Sequence, residues 1–151
     1  MRTILFILLL VANTLSAQAE IVRDCEGEIT INLLAEPWEN NTRTFANGDV
    51  RIAVLDYWDP ANAAFRLAVM YLPNDYIEAE GRACKVVSAG GIGDGYNMLS
   101  LDGLKASYDP TRGLALMIDA EKYDYDAGRA IPGTVTVVIN RATSQVQASF
   151  R

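Results

Sequence analysis

Histidine is absent from all 151 residues. The absence removes the side chain that most often serves as a general base near neutrality, and with it Ser-His-Asp and Cys-His nucleophile arrangements and histidine-ligated zinc. Positive charge is thin as well: 13 Lys and Arg face 19 Asp and Glu, for a formal charge of −6. Beyond Arg2, the arginines at 23, 43, 51, 66, 82, 112, 129, 141 and 151 are spread singly along the chain. An acidic surface without a basic tract repels phosphate backbones and anionic headgroups, which argues against nucleic acid and membrane surfaces as partners.

Cysteine is reduced to one pair, Cys25 and Cys84. Without Cys-x-x-Cys spacing there is no redox motif, and in an oxidising compartment an even pair reads as one disulfide, which removes both sulfurs as nucleophiles. The one long apolar run covers residues 4–15. No repeat of fixed period, low-complexity tract or linker interrupts the remainder, so a second domain is not expected.

That single run carries the chain's expected address. Arg2 precedes it, Ala17-Gln18-Ala19 places small residues where a signal peptidase reads them, and Glu20 follows. Residues 1–19 are expected to be a cleaved signal peptide and residues 20–151 a single β domain. The run is too short to span a bilayer comfortably and no cysteine follows to take a lipid, so no stable membrane insertion is expected after cleavage. The expected destination is the periplasm in a Gram-negative cell and the extracellular space otherwise.

Helical periodicity gives way to period-two alternation broken by turn residues. Ile29, Ile31 and Leu33 alternate with Thr30 and Asn32, predicting a half-buried strand. Asn47-Gly48 lies between residues 42–46 and 49–57, the strongest short hairpin signal a sequence offers. Asp59-Pro60-Ala61-Asn62, Asp102-Gly103 and residues 109–113 read as further turns between antiparallel neighbours. Near the end, Val135, Val137 and Ile139, then Val146, Ala148 and Phe150, each keep one face apolar. Asn74 or Asp75 could cap a helical turn or two through Glu80, and residues 121–133, with Gly128, Pro132 and Gly133, read as a long connection.

The predicted fold is therefore all-β: a single-domain antiparallel β-sandwich or small closed barrel of about eight to ten short strands, with a minor helix at most. An outer-membrane barrel fits less well, because its strands are longer and its lumen polar, whereas residues 52–55, 67–72 and 114–118 are apolar on both faces.

Chemistry is left to carboxylates and lysine. Lys105 and Ser107 share a strand face, but with Leu104, Ala106 and Tyr108 alternating inward they read as a solvated row rather than a Ser-Lys pair. Asp119, Glu121, Asp124 and Asp126 surround Tyr123 and Tyr125. Paired carboxylates could serve glycoside cleavage or calcium, yet Asp124-Tyr125-Asp126 lacks the ligand spacing and glycine of a calcium loop. The glycine-rich residues 88–95 lack the helix that a dinucleotide loop needs after it. Tyr57, Trp58 and Trp38 join Tyr123 and Tyr125 as rings beside turns, where aromatics grip partners or roof the core.

These readings converge on a non-catalytic binding or interaction module, with Tyr123, Asp124, Tyr125 and Asp126 as its binding residues. No metal or cofactor is expected, and the expected partner is a protein or glycan of the envelope. A carboxylate-dependent glycan hydrolase and an inhibitory or structural module that blocks an enzyme through a loop stand as alternatives.

Overall fold

The computed structural model describes residues 18–25, 27, 29–58, 63–76, 81–90 and 95–151. Ten strands form among them: β1 (Gln18–Ala19), β2 (Ile21–Asp24), β3 (Thr42–Phe45), β4 (Val50–Asp56), β5 (Phe65–Tyr71), β6 (Ala83–Ser88), β7 (Met98–Asp109), β8 (Gly113–Asp124), β9 (Arg129–Asn140) and β10 (Gln145–Phe150). They build two five-stranded sheets, ordered β1-β10-β9-β8-β7 and β2-β6-β5-β4-β3, with every strand pairing among the described residues antiparallel. The expected β-sandwich is found, as two separate sheets rather than a closed barrel. Most of the segment expected to be a signal peptide, residues 1–17, lies outside the described residues; its last two positions form β1 against Phe150 and Ser149.

Alternation places the core. Ile52, Val54, Leu67, Val69 and Val87 from one sheet meet Leu116, Ile118, Val135, Val137 and Ile139 from the other, all nearly solvent-free. Burying such side chains supplies the main driving force for closing two half-apolar sheets on each other. The Asn47-Gly48 hairpin forms as expected, with Phe45 opposite Val50 and both turn residues at positive φ. The β9–β10 hairpin forms too, and its turn is fastened to the other sheet: Tyr71 donates its hydroxyl hydrogen to the Ser144 carbonyl, and Arg141 pairs with Asp49 at 2.9 Å.

Five sequence expectations give way. Residues 29–33 form no strand; Ile31–Leu33 is a 3-10 turn. The reason is topological, since β2 and β3 are opposite edges of one sheet and the chain between them must cross that sheet's outer face. Asp102-Gly103 is not a hairpin turn: both flanks pair with β8, and residues 101–104 stand opposite Ile118 alone, a bulge that Gly103 permits at φ 72°. Residues 121–133 are not a long loop, because β8 runs to Asp124 and β9 starts at Arg129, its register partner. Pro132 fits there because the C-terminal chain bonds β9 no nearer to it than Thr134, which exchanges backbone hydrogen bonds with Arg151. Gly133 fits because a Cβ at this position would strike the Phe150 ring. The strands are also not uniformly short, since β7, β8 and β9 each hold 12 residues. Finally, Tyr108 is 73% exposed and Ala106 is exposed, although their partners Leu114 and Leu116 on β8 reach the core; β7 is the edge strand of its sheet.

The suggested helical turns after Asn74, the Asp59-Pro60-Ala61-Asn62 turn and the centre of the glycine-rich stretch fall wholly or partly outside the described residues. The crossing between sheets that follows that stretch is well defined. Tyr96 and Phe65 exchange backbone hydrogen bonds at 2.7 and 3.1 Å, so the chain leaving β6 borrows the start of β5 before joining the other sheet. A Cβ on Gly95 would overlap the Ala63 carbonyl oxygen. Gly95→Ala is therefore expected to lower stability by about 2–3 kcal/mol in urea unfolding; a loss below about 0.5 kcal/mol would show that this crossing is not tight.

Candidate functional site

One end of the sandwich carries three exposed rings, those of Trp58, Tyr123 and Tyr125, while Tyr108, as exposed as Tyr125, lies on the β7–β8 hairpin instead. The strand directions bring three features to that end: the turn after β4, the Tyr96 crossing, and the β8–β9 hairpin tip. Phe65 pairs with both Asp56 and Tyr96, and the Asn97 N–H donates to the Glu121 carbonyl at 2.8 Å. Trp58 is 74% exposed, Tyr123 40% and Tyr125 73%.

The hairpin tip is fastened by its own hydrogen bonds. Register holds as far as Asp124 opposite Arg129, and the Asp124 carboxylate then accepts the backbone N–H groups of Asp126 and Ala127, each at 2.9 Å. An aspartate that bonds the backbone two residues on fixes a turn, and Gly128 completes it at φ 64°. Tyr123 and Tyr125 meet edge to face, with ring centroids 5.0 Å apart and planes at 74°. Of the four residues expected to bind, the structure brings the two tyrosines together, leaves Asp126 exposed and uses Asp124 to shape the turn.

The remaining carboxylates of the acidic group are not collected with them in a cavity. Asp119 and Glu121 stand on the outer face of β8, across from Thr134 and Pro132. Among the described residues, no group of three or more His, Cys, Asp or Glu is placed to hold a metal ion. Lys105 and Ser107 are exposed on an outer face, as the alternation predicts. Trp58 adopts φ 55°, and its N–H donates to the Asp56 side chain at 2.8 Å. A bulky residue at positive φ carries backbone strain, which here turns an indole toward solvent.

Beneath these rings lies a polar cluster that sequence reasoning does not find. Glu20 sits where the chain passes from β1 in one sheet to β2 in the other, with its side chain fully buried. Its carboxylate accepts a hydrogen bond from the Tyr96 hydroxyl at 2.9 Å and from the Lys122 ammonium at 3.0 Å. The Lys122 side chain is 12% exposed and its Nζ lies 5.7 Å from the Phe150 ring centre. Burial, followed by the charge of Glu20 and its hydrogen bond, pushes the Tyr96 hydroxyl far above the usual tyrosine range. The cluster joins an N-terminal crossing, a mid-chain crossing and a central strand, so it clamps the end from which the tip projects. One signal in the sequence points to it: Lys122 continues the inward phase of Leu116, Ile118 and Ala120.

No protein-family model, curated protein or solved structure matches this chain. Its function must be read from this geometry. A disulfide joins Cys25 and Cys84, as the cysteine count predicts, with Cα atoms 5.4 Å apart. Among the described residues no helix is long and apolar enough to cross a membrane.

Proposed function

We propose that this chain is an exported, non-catalytic binding module that meets a protein partner with the β8–β9 hairpin tip, Tyr123 and Tyr125 supplying the contact area. The observation that carries the reading is the exposed, edge-to-face tyrosine pair on a turn held by Asp124. Tyrosines give large amphipathic contact at low rotamer cost, and a tip already ordered by its own hydrogen bonds loses little entropy on binding. Asp126 beside the rings and a chain charge of −6 favour a basic partner surface through electrostatic complementarity. Rings set at 74° offer no common flat platform for a sugar, which favours a protein over a glycan in this reading. A module that blocks an enzyme is the special case in which the partner's contacted surface is its active site. The disulfide suits the periplasm or the extracellular space, where thiols stay oxidised.

Changing Tyr123 and Tyr125 together to alanine is expected to cost no more than about 1 kcal/mol of stability, mostly from the ring pair itself. The same change should abolish recovery of the native partner from envelope or culture extracts. A photo-crosslinking side chain at Ala127 should form its adduct with that protein and no other. If the double variant recovers the partner undiminished, the tip is not the binding surface; capture of a glycan instead would reassign the partner class.

A further inference from the structure

The connection between β2 and β3 leaves a covered apolar groove that the hairpin tip does not involve. The chain leaves Asp24 at one sheet edge, is pinned at Cys25 to Cys84 on the adjacent strand, and crosses the outer face. It is fastened again at the far side, where Leu34 bridges Leu55 and the Ala35 N–H donates to the Val54 carbonyl at 3.0 Å. This strap makes a second, smaller core with the outer face: Ala53, Leu55 and Ala68 pack with Ile29, Leu33, Leu34 and Tyr57.

The strap does not fill the space beneath it. Ala53 and Ala68 are register partners, so two small side chains lie abreast in the middle of the floor. Between them and the strap remains a cavity of about 360 Å³, walled by Ile29, Ile31, Leu34, Leu55 and Met70. A space of this size lies at the lower end of small-molecule sites. Because the strap is tied at both ends, the groove cannot simply collapse to recover its lost packing contacts.

Five polar side chains line the groove, and two are already engaged: the Thr30 hydroxyl donates to the Asn32 side chain and the Thr42 hydroxyl to the Trp38 carbonyl. Arg51 and Thr44 line it and stand directly across from each other on β4 and β3. Arg51 is exposed, and its guanidinium forms no ion pair or hydrogen bond among the described residues. Arg43, also at the groove, is already committed to the Glu39, Asn40 and Thr42 carbonyls. From Arg51 through Ala53 to Leu55 the outer face of β4 runs about 13 Å at the rise of an extended strand.

We propose that this groove binds a free medium-chain fatty acid. The carboxylate meets the guanidinium of Arg51 and the hydroxyl of Thr44, and the alkyl chain lies over Ala53 and Ala68 toward Leu55, beneath Ile29 and Leu34. A single uncommitted cation beside a narrow apolar channel matches one carboxylate on one chain, and the cavity has no room for a two-chain lipid. The site is separate from the hairpin tip, so either reading can fail without the other.

Calorimetry on the full oxidised chain, using hexanoate, octanoate and decanoate as monomers, tests it. One equivalent is expected to bind, with affinity rising about fourfold for each added methylene until the groove is full. Arg51→Gln, at an exposed position, should weaken decanoate about tenfold without moving the melting temperature, and decanol should bind unmodified protein no better than decanoate binds that variant. Ala68→Leu should fill the floor and abolish binding; where it also lowers the melting temperature, the Arg51→Gln result decides. The Tyr123→Ala, Tyr125→Ala double variant should bind decanoate with unchanged affinity. The proposal is overturned by the absence of saturable one-to-one binding, by uptake of many equivalents as a detergent is taken up, or by equal affinity in Arg51→Gln.

Discussion

Replacing Glu20 with alanine is expected to lower the stability of the domain by about 3–5 kcal/mol, as removal of one partner from a buried ion pair generally does. The loss strands the Lys122 ammonium at 12% exposure and leaves the Tyr96 hydroxyl without its acceptor, in a position already sealed between the sheets. Urea unfolding of single and paired variants separates the pair from the packing. A combined Glu20→Leu, Lys122→Met variant should recover much of what Glu20→Ala loses, because it removes both charges together. A loss below about 1 kcal/mol in Glu20→Ala would show that Lys122 simply swings to solvent. A chain processed after Ala19 would keep the clamp, since the Glu20 nitrogen donates to the Ala148 carbonyl at 3.0 Å and not to the segment removed.

The same cluster sets an alkaline limit. Tyr96 holds its proton in the folded state far above the usual range, whereas an unfolded tyrosine releases it near pH 10. Above that pH the folded state binds more protons than the unfolded one, so stability falls as pH rises; below it the contribution is fully present. Burial raises Tyr71 in the same direction. Tyr96→Phe should therefore flatten the decline in unfolding free energy between about pH 10 and 12, a window set by that release near pH 10. An unchanged slope would mean that Tyr96 is not among the groups that govern it.

Reduction of the disulfide is expected to cost about 4 kcal/mol by loop-closure entropy, for cysteines separated by 59 residues. That is comparable to the whole net stability of many small domains. The damage should begin locally. With Cys25 free, the strap keeps its far-side bonds at Leu34 and Ala35 but loses its nearer anchor, so proteolysis in residues 25–34 should precede cleavage elsewhere. Equal melting temperatures for the oxidised protein and a Cys25→Ser, Cys84→Ser variant would remove the bridge from the account of stability.

Local patterns were reliable wherever a strand buries one face. Residues 135–139 and 146–150 alternate as their register requires, and Asn47-Gly48 turns with Ala46 through three successive positive φ values. The doubly apolar stretch 52–55, read as packed core rather than wet lumen, is buried on both faces, its outer one under the strap. The misreadings came from residues whose role depends on a distant neighbour. Pro132 and Gly133 resemble loop residues until one sees that the C-terminal chain bonds β9 no nearer to the first than Thr134 and that the Phe150 ring occupies the space above the second. Asp102-Gly103 has the composition of a turn, yet β8 continues on both sides and converts it into a bulge.

From composition and order alone came the absence of histidine chemistry, the single disulfide, the all-β class and the aromatic, acidic segment at 123–126. Each of these is carried by residue type or by spacing along the chain. Tertiary structure alone decided that Glu20, Tyr96 and Lys122 meet, and that the segment after Cys25 crosses an outer sheet face. It also set the two tyrosines edge to face at the end of a hairpin. Those contacts join residues up to 102 positions apart. Pairing between strands selects such neighbours through the burial of a shared core, and no local periodicity records which distant strand will supply the other half.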